Sequence, residues 1–194
     1  MMGTNPTNSS NLNFVNLRMK LVLLLLLPLL LASNFSYNKG MNETQKGPIE
    51  ILFFVSEKCP ICQFYTAKIN QIVADYPEHK VILVFPNDLS DAKTMERFKK
   101  KYKLTATMVL DPEHNLVQKF GATVTPEVVV FNSSSKTVHY QGRIDDNYYR
   151  IGKRKTIVQT NDLVDALNAL QNKTDSATVK TTPVGCFITQ KQKK

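Results

Sequence analysis

The pattern Cys59-Pro60-Ile61-Cys62 constrains this chain more than any other feature, because it lies where an apolar strand is followed by a helix. Apolar residues are nearly continuous over 49–56, which predicts a buried strand, and recur at helical spacing over 61–76. Unpaired backbone N–H groups at the start of a helix stabilise a thiolate, which is the form of cysteine that attacks disulfides. The pattern therefore predicts a reactive dithiol at the strand-to-helix turn.

Two other uses of a cysteine pair fit this sequence poorly. A structural zinc site needs four ligands, commonly as closely spaced pairs. The remaining candidate ligands are one cysteine and three scattered histidines, namely Cys186, His79, His114 and His139. A disulfide between residues so close in sequence removes little entropy from the unfolded chain, so it would add little stability. We therefore predict redox chemistry at Cys59 and Cys62, with no metal and no cofactor.

The start of the chain indicates the compartment. An apolar run over 21–32 follows two basic residues, Arg18 and Lys20. A membrane-spanning helix needs about 20 apolar residues, so this shorter run with a positive flank predicts a signal peptide over 1–32. An uncleaved N-terminal anchor is the alternative. In both cases we predict a periplasmic or secreted protein, in a compartment where disulfides persist.

The rest of the chain is predicted to form a linker over 33–46, one domain over 47–172 and a tail over 173–194 that carries Cys186. The chain holds 25 basic and 16 acidic residues, a formal charge of +9, and such a balance can attract nucleic acid or an anionic membrane. Its basic clusters lack interleaved aromatic residues and contain no nucleic-acid-binding motif. We therefore predict a solvated basic surface, no nucleic-acid partner, and membrane contact only through an uncleaved N-terminal segment.

Strand-like and helix-like segments alternate along the predicted domain. Further strands are predicted over 81–85, 107–110, 128–131 and 137–141, and further helices over 91–102, 116–120 and 162–170. Strands that alternate with helices and end in a hairpin predict an α/β fold with a central mixed β-sheet flanked by helices. Residues 145–160 are predicted to form a long loop.

Three motifs extend the pattern beyond the cysteine pair. They are Val124-Thr125-Pro126-Glu127 before a strand, Gly142-Arg143-Ile144-Asp145-Asp146 after the hairpin, and Thr182-Pro183-Val184-Gly185-Cys186 near the end. With this order of elements, the chain resembles the thioredoxin-like superfamily, and within it the peroxiredoxin-like, TlpA-like redoxin family, over residues 49–188. The resemblance implies a thioredoxin-like fold in which the Thr125–Pro126 bond is cis and lies against the dithiol. It also implies that the backbone of Thr125 pairs in strand fashion with an incoming peptide.

The chain departs from the thioredoxin pattern at two positions before the first cysteine. Thioredoxins carry Trp where this chain has Lys58, and a cation there is expected to favour the Cys59 thiolate. Many thioredoxins bury an acid where this chain has Phe53. Glu57 and Glu127 are candidates for the missing proton acceptor, although a surface carboxylate is the simpler interpretation of both.

Together these residues predict thiol–disulfide exchange. Cys59 attacks a substrate disulfide, and Cys62, more buried in the first helical turn, attacks Cys59 and releases the reduced substrate. The predicted partners are proteins that offer a disulfide or thiols, and a redox partner that resets the dithiol. Replacement of Cys62 by Ser is expected to trap the mixed disulfide. The direction of electron flow stays open, because it depends on the reduction potential of the pair.

Two other functions are compatible with the same residues. Peroxiredoxins place a hydroxyl three residues before the reactive cysteine, and Ser56 has that position, which leaves a thiol peroxidase with antioxidant activity as one alternative. A copper chaperone is the other, since soft thiolates suit Cu(I), which Cys59 and Cys62 would hold together with a histidine. Cys186 is a candidate second resolving thiol, an intermolecular bridge or a bystander.

Overall fold

The structure, a computed structural model, describes residues 48–88, 90–172 and 178–189, so the predicted signal segment and linker lie outside the described residues. The strands are β1 Ile49–Phe54, β2 Lys80–Phe85, β3 Thr107–Leu110, β4 Val124–Thr125, β5 Glu127–Asn132, β6 Thr137–Gly142, β7 Tyr148–Arg150, β8 Lys153–Arg154, β9 Val179–Lys180 and β10 Cys186–Phe187. The helices are α1 Pro60–Asp75, α2 Ala92–Tyr102, α3 Asn115–Phe120 and α4 Asp162–Gln171.

The main sheet is mixed, with the strand order β3-β2-β1-β5-β6-β9. Strands β1, β2 and β3 are parallel, whereas β5 is antiparallel to both β1 and β6. Strand β9 lies parallel to β6 at one edge. The predicted α/β fold is confirmed, and so is the predicted hairpin, which β5 and β6 form.

Side chains of β1 alternate between two hydrophobic cores, because successive residues of a strand point to opposite faces of the sheet. Ile51 and Phe53 pack in the larger core together with the buried face of α1. Leu52 and Phe54 pack in a second core on the other face. Both faces of β1 are therefore covered, which explains why its sequence is apolar nearly throughout.

Local signals set the ends of the helices. Asp91 begins α2 with a capping box, in which its side chain accepts a hydrogen bond from the Thr94 N–H and the Thr94 hydroxyl oxygen accepts one from the Asp91 N–H. Gly121 ends α3 with a φ of 68°, a conformation that glycine adopts without steric cost. The helices predicted over 91–102 and 116–120 are therefore confirmed. None of the described helices is both long enough and apolar enough to cross a bilayer.

The segment predicted as a loop over 145–160 contains a short hairpin, formed by β7 and β8. Asp146 closes its base, because the carboxylate accepts hydrogen bonds from the backbone of Gln159 and Thr160 and from the Lys155 ammonium group. The Lys155 hydrogen bond lowers the pKa of Asp146 to about 2. The sequence did not predict these strands, because two or three residues are too few to show the alternation of a strand.

Residues 178–189, which the sequence assigned to a C-terminal tail, pair with the domain at two places. Strand β9 continues the main sheet beside β6, and β10 pairs with β4. Gly142 permits the first contact, because a Cβ at this position would lie 2.1 Å from the Thr181 hydroxyl oxygen and 2.4 Å from its carbonyl oxygen. This part of the predicted tail is therefore packed against the sheet.

Replacing Gly142 by Ala is expected to lower the free energy of unfolding by about 1–3 kcal/mol, because the added Cβ overlaps with Thr181. The change is also expected to make residues 178–189 more sensitive to limited proteolysis. Gly152→Ala is the matched control: this glycine also has a positive φ, 71°, but a Cβ there would have no heavy atom within 4 Å. Equal proteolysis of the two variants would contradict the predicted contact.

Candidate active site

The cysteine pair lies at the start of α1. Cys59 precedes the first turn, with φ −79° and ψ 116°, and Pro60 occupies the first helical position, where its missing N–H costs no hydrogen bond. Cys62 lies in the same turn, and the two thiols are in hydrogen-bond contact. The backbone N–H of Ser56 donates to Cys62 Sγ at 3.4 Å. The strand-to-helix turn therefore brings the two sulfur atoms together.

The loop between β4 and β5 faces the Cys59 sulfur. Its Thr125–Pro126 bond is cis, as the resemblance implies. In its protonated form Cys59 Sγ donates to the Thr125 carbonyl oxygen at 3.1 Å. The sheet sets this position, because antiparallel pairing of β5 with β1 places Glu127 opposite Phe54 and so brings the start of β5 beside the end of β1.

A third thiol joins the pair. Cys186 begins β10, where it lies opposite Thr125 in antiparallel register. Its Sγ donates to Cys59 Sγ at 2.9 Å, and all three cysteines are free thiols. The sequence left the place of Cys186 open, and the structure puts it in the same site as Cys59 and Cys62.

Strand β10 also changes the expected access to the site. The resemblance implies that an incoming peptide pairs with Thr125, but the chain's own β10 occupies that edge of β4. Cys59 is only 2% exposed and Cys62 only 1%. A peptide strand can therefore pair with Thr125 only after β10 has moved.

The three thiols differ in acidity. Hydrogen bonds from Cys62 and from Cys186 lower the pKa of Cys59 to about 5, against the opposing effect of burial. Burial, together with the negative charge of Cys59, raises the pKa of Cys186 to about 12. Burial likewise raises the pKa of Cys62 well above its ordinary value. Cys59 is therefore the thiolate of this cluster at neutral pH.

The groups that lower the pKa of Cys59 differ from the one that the sequence suggested, Lys58. Its side chain is exposed, and the groups that lower the pKa of Cys59 are the neighbouring thiols Cys62 and Cys186. The expectation that a cation next to Cys59 in sequence stabilises the thiolate stays a prediction. The stabilising groups are hydrogen-bond donors, one of which comes from the far end of the domain.

Glu127, a candidate proton acceptor, supports the cis-proline loop through its hydrogen bonds. It is 3% exposed, so the surface interpretation is wrong for this residue. Its Oε2 accepts from the backbone N–H groups of Thr123 at 2.8 Å and Val124 at 3.5 Å, and its Oε1 accepts from the Gln141 side chain at 2.8 Å. These contacts hold together the two strands that flank Pro126, since β4 ends immediately before this residue and β5 begins immediately after it.

Ser56, the hydroxyl of the peroxidase alternative, lines a cleft beside the dithiol turn. The cleft has a volume of about 430 Å³ and is lined by residues 56–58 together with Asn87, Asp88, Ser90 and Thr189. Within this group the Ser90 hydroxyl donates to the Glu57 carboxylate at 2.8 Å, and the Ser56 hydroxyl accepts from the Lys58 N–H at 3.4 Å. The cleft provides space for a small polar molecule next to the residues that precede Cys59.

Tyr65 is a site residue that the sequence did not single out. It lies one helical turn after Cys62, and its hydroxyl donates to Asp145 in the segment after the hairpin. Burial, followed by this hydrogen bond, raises the pKa of Tyr65. Arg143 of the same segment donates to Asp162 at 2.9 and 3.1 Å. The segment after the β5–β6 hairpin is therefore fixed to α1 through Asp145 and to α4 through Arg143. Helical spacing showed that Tyr65 faces the core, but its partner lies far away in sequence.

The copper alternative gains no support from the described residues. Within the described ranges, no group of three His, Cys, Asp or Glu side chains is arranged to hold a metal ion. His114 contacts the Pro86 carbonyl oxygen at 2.6 Å, and His79 stacks on Tyr76. The thiols of Cys59 and Cys62 therefore lack the histidine that this interpretation requires.

A mixed sheet with a cysteine pair at a helix start and a facing cis-proline defines the thioredoxin-like class of redox protein. The chain belongs to the AhpC/TSA family, whose sequence profile matches residues 32–160. Both the family and the fold implied by the resemblance are therefore confirmed. No curated protein matches the chain.

Solved structures are similar to this chain, and the two with a TM-score above 0.5 share its fold. A hypothetical protein from Sinorhizobium meliloti 1021 has a TM-score of 0.63 at 22% identity, and the match covers 75% of this chain and 81% of that protein. An uncharacterized conserved protein from Geobacillus kaustophilus has a TM-score of 0.65 at 18% identity, with 79% and 83% covered. A secreted disulfide oxidoreductase from Mycobacterium tuberculosis has a TM-score of 0.47 at 19% identity, with 65% and 84% covered.

When the protein is titrated from acid to neutral pH, its ultraviolet thiolate absorbance is expected to increase in a step that corresponds to one cysteine. The midpoint is expected near pH 5, because hydrogen bonds lower the pKa of Cys59 to about 5. Below this pH Cys59 is protonated and its reaction with disulfides slows, whereas an ordinary cysteine loses its proton only near a pKa of about 8.5. Cys186→Ala removes one of the donors, so the midpoint is expected to rise. The step is expected to disappear in Cys59→Ser, and a step that survived this change would contradict the assignment.

Proposed function

We propose that the protein is an extracytoplasmic thiol–disulfide oxidoreductase that uses the Cys59–Cys62 dithiol. The observation that carries the proposal is the unequal acidity of the two thiols. Hydrogen bonding lowers the pKa of Cys59 to about 5, and burial raises that of Cys62. The thiolate is the attacking form of cysteine, so this difference assigns the attack to Cys59 and the second step to Cys62.

The reaction consists of two exchanges. The Cys59 thiolate attacks one sulfur of a substrate disulfide, the substrate bond breaks, and the departing substrate sulfur takes up a proton. Cys62 then loses its proton and attacks Cys59 Sγ, so the Cys59–Cys62 bond forms and the second substrate sulfur leaves. The substrate disulfide is reduced and the dithiol is oxidised. A separate redox partner returns the pair to its starting state.

Residues around the pair have positioning roles in this proposal. Thr125 and Pro126 bring a backbone carbonyl to the reacting sulfur, and Glu127 holds the strand that carries Thr125. The extracytoplasmic location rests on the apolar run over 21–32 with its basic flank. In such a compartment disulfides persist, so both substrates and partners for the dithiol are available.

Replacement of Cys59 by Ser is expected to abolish catalysed disulfide reduction, because the only low-pKa thiol of the described cluster is lost. Reduction of insulin disulfides with dithiothreitol as the electron donor measures this activity. Ser135→Ala is a suitable control, since Ser135 follows the end of β5 that is remote from Pro126. Full activity in Cys59→Ser, with thermal unfolding unchanged, would contradict the proposed role.

A thiol peroxidase is the second candidate, and the occupied edge of β4 favours it. A small peroxide needs no free strand edge to reach Cys59. The Cys59 thiolate would attack one peroxide oxygen and the O–O bond would break. The attacked oxygen would stay on Cys59 as a sulfenic acid, and the other would leave as water or, from an alkyl peroxide, as an alcohol. Attack by Cys62 on that sulfur would then release water and form the Cys59–Cys62 disulfide. Ser56 is the candidate hydroxyl for orienting the peroxide.

Peroxide consumption with a thiol reductant tests this second candidate. Activity is expected to vanish in Cys59→Ser and to fall in Ser56→Ala, because the peroxide loses a hydrogen-bonding partner beside the thiolate. Ser90→Ala is the matched control, since Ser90 lines the same cleft and its hydroxyl contacts Glu57. Consumption that is independent of Cys59 would exclude the peroxidase.

A further inference from the structure

Residues 178–189, here called the C-terminal strap, are fixed to the domain at both ends. At the first end the Thr178 hydroxyl donates to the Val138 carbonyl oxygen at 2.6 Å, and the Thr181 hydroxyl lies 2.6 Å from the Tyr140 hydroxyl. At the other end Ile188 is 5% exposed and packs in the second core. The strap is therefore held in a defined path that crosses the cysteine site.

Gly185 lets the strap approach the cis-proline loop closely. A Cβ on Gly185 would lie 2.2 Å from the Thr125 carbonyl oxygen and 3.1 Å from the Pro126 nitrogen. Any side chain at this position would push the strap away from the loop, so glycine is required for the observed contact. The residue that follows is Cys186, which this approach brings to the Cys59 sulfur.

The strap lies where the resemblance places a substrate peptide. It pairs antiparallel with β4, and Cys186 is opposite Thr125. The sulfur atoms of Cys186 and Cys59 are 2.9 Å apart, whereas a disulfide bond is about 2.05 Å long. A movement of about 1 Å would therefore be enough to join them.

We propose that Cys186 is a third redox-active residue, which exchanges with Cys59 and relays a disulfide between the buried pair and the protein surface. The Cys186 thiolate attacks Cys59 Sγ of the Cys59–Cys62 disulfide, the Cys59–Cys186 bond forms, and Cys62 leaves and takes up the proton that Cys186 has lost. No net oxidation occurs in this step. The proposal rests on the proposed function, since that reaction generates the Cys59–Cys62 disulfide.

The difference in exposure between Cys186 and the buried pair explains what the relay would achieve. Cys59 and Cys62 are almost fully buried, whereas Cys186 is partly exposed. A partner protein with a dithiol can therefore attack the Cys186 sulfur of the Cys59–Cys186 disulfide, which releases Cys59 as the low-pKa thiolate. The second thiol of the partner then attacks the partner sulfur that is bonded to Cys186. A disulfide forms within the partner, and Cys186 is released as a thiol. The partner leaves oxidised, and all three thiols of the chain are reduced.

The test uses the full-length protein in three forms: unchanged, Cys62→Ser, and Cys62→Ser combined with Cys186→Ser. Each reduced form is mixed with one equivalent of oxidised glutathione, and the disulfides are mapped by mass spectrometry under non-reducing conditions. The double variant is expected to keep glutathione on Cys59. The Cys62→Ser variant is expected to hold a Cys59–Cys186 disulfide and at least about tenfold less glutathione on Cys59, because a thiol held in contact reacts faster than one in solution.

This outcome replaces the simpler expectation that Cys62→Ser alone traps the mixed disulfide. If Cys62→Ser retains glutathione on Cys59 while Cys186 stays a thiol, the relay is wrong but the attacking role of Cys59 stands. If Cys59 takes up no glutathione even in the double variant, the proposed function is wrong, and the relay with it. The unchanged protein provides a test without any substitution in the core. It is expected to yield both the Cys59–Cys62 and the Cys59–Cys186 disulfide, and detection of the Cys59–Cys62 disulfide alone would overturn the relay.

Gly185→Ala tests whether the position of the strap controls the exchange. The added Cβ is expected to displace Cys186 and to lower the fraction of Cys59–Cys186 disulfide several-fold, while the Cys59–Cys62 disulfide of the same protein persists as an internal control. Gly152→Ala, which has no neighbour within 4 Å of the added Cβ, is the external control. An unchanged fraction of Cys59–Cys186 in Gly185→Ala would contradict the role of the strap.

Discussion

Hydrogen bonding to the sulfur of Cys59 is the interaction on which the site depends. A buried thiolate loses its hydration, so burial alone would make Cys59 a weaker acid. Donors from Cys62 and Cys186 reverse this effect. One donor lies three residues away in the same helical turn, and the other lies in the last described strand. The acidity of this residue therefore depends on the folding of the whole domain.

The sheet explains how groups so distant in sequence meet. Antiparallel pairing of β1 with β5 brings the cis-proline loop to the start of α1, and the Glu127 carboxylate keeps β4 against that loop. Strand β10 then adds to β4 and carries Cys186 into the site. The first and last of these steps use backbone pairing between strands, and the middle one uses hydrogen bonds from backbone N–H groups to a buried carboxylate. The cluster of sulfur atoms is thus a consequence of strand order and register.

Much of this architecture could be predicted from the sequence, because its signals are local. Continuous apolar runs marked β1 and β2, helical spacing of apolar residues marked α1, and the spacing of Cys59 and Cys62 marked the dithiol turn. The strands of two or three residues could not be predicted, since they are too short to show a period. Long-range relations were equally hidden.

Burial of Glu127 and the partnership of Tyr65 with Asp145 follow from pairings across the fold that no local pattern shows. The same is true of Cys186. Its residue type suggested chemistry, but its place depends on Gly142 and Gly185, which allow two close backbone approaches. Sequence adjacency drew attention to Lys58, but the donors that the structure places on the buried Cys59 sulfur are Cys62 and Cys186, and of these Cys186 is distant in sequence.

In the proposed oxidoreductase, the antiparallel contact of β10 with β4 has a consequence for substrate choice. A segment of the same polypeptide that lies on a recognition edge acts as a tethered competitor, and its local concentration does not fall when the protein is diluted. An external chain wins that edge only if it offers backbone hydrogen bonds and side-chain contacts stronger than those of the resident strand. Strand β10 can therefore make the site selective, because a peptide that binds weakly or nonspecifically does not displace it and so does not reach the reacting sulfur atoms.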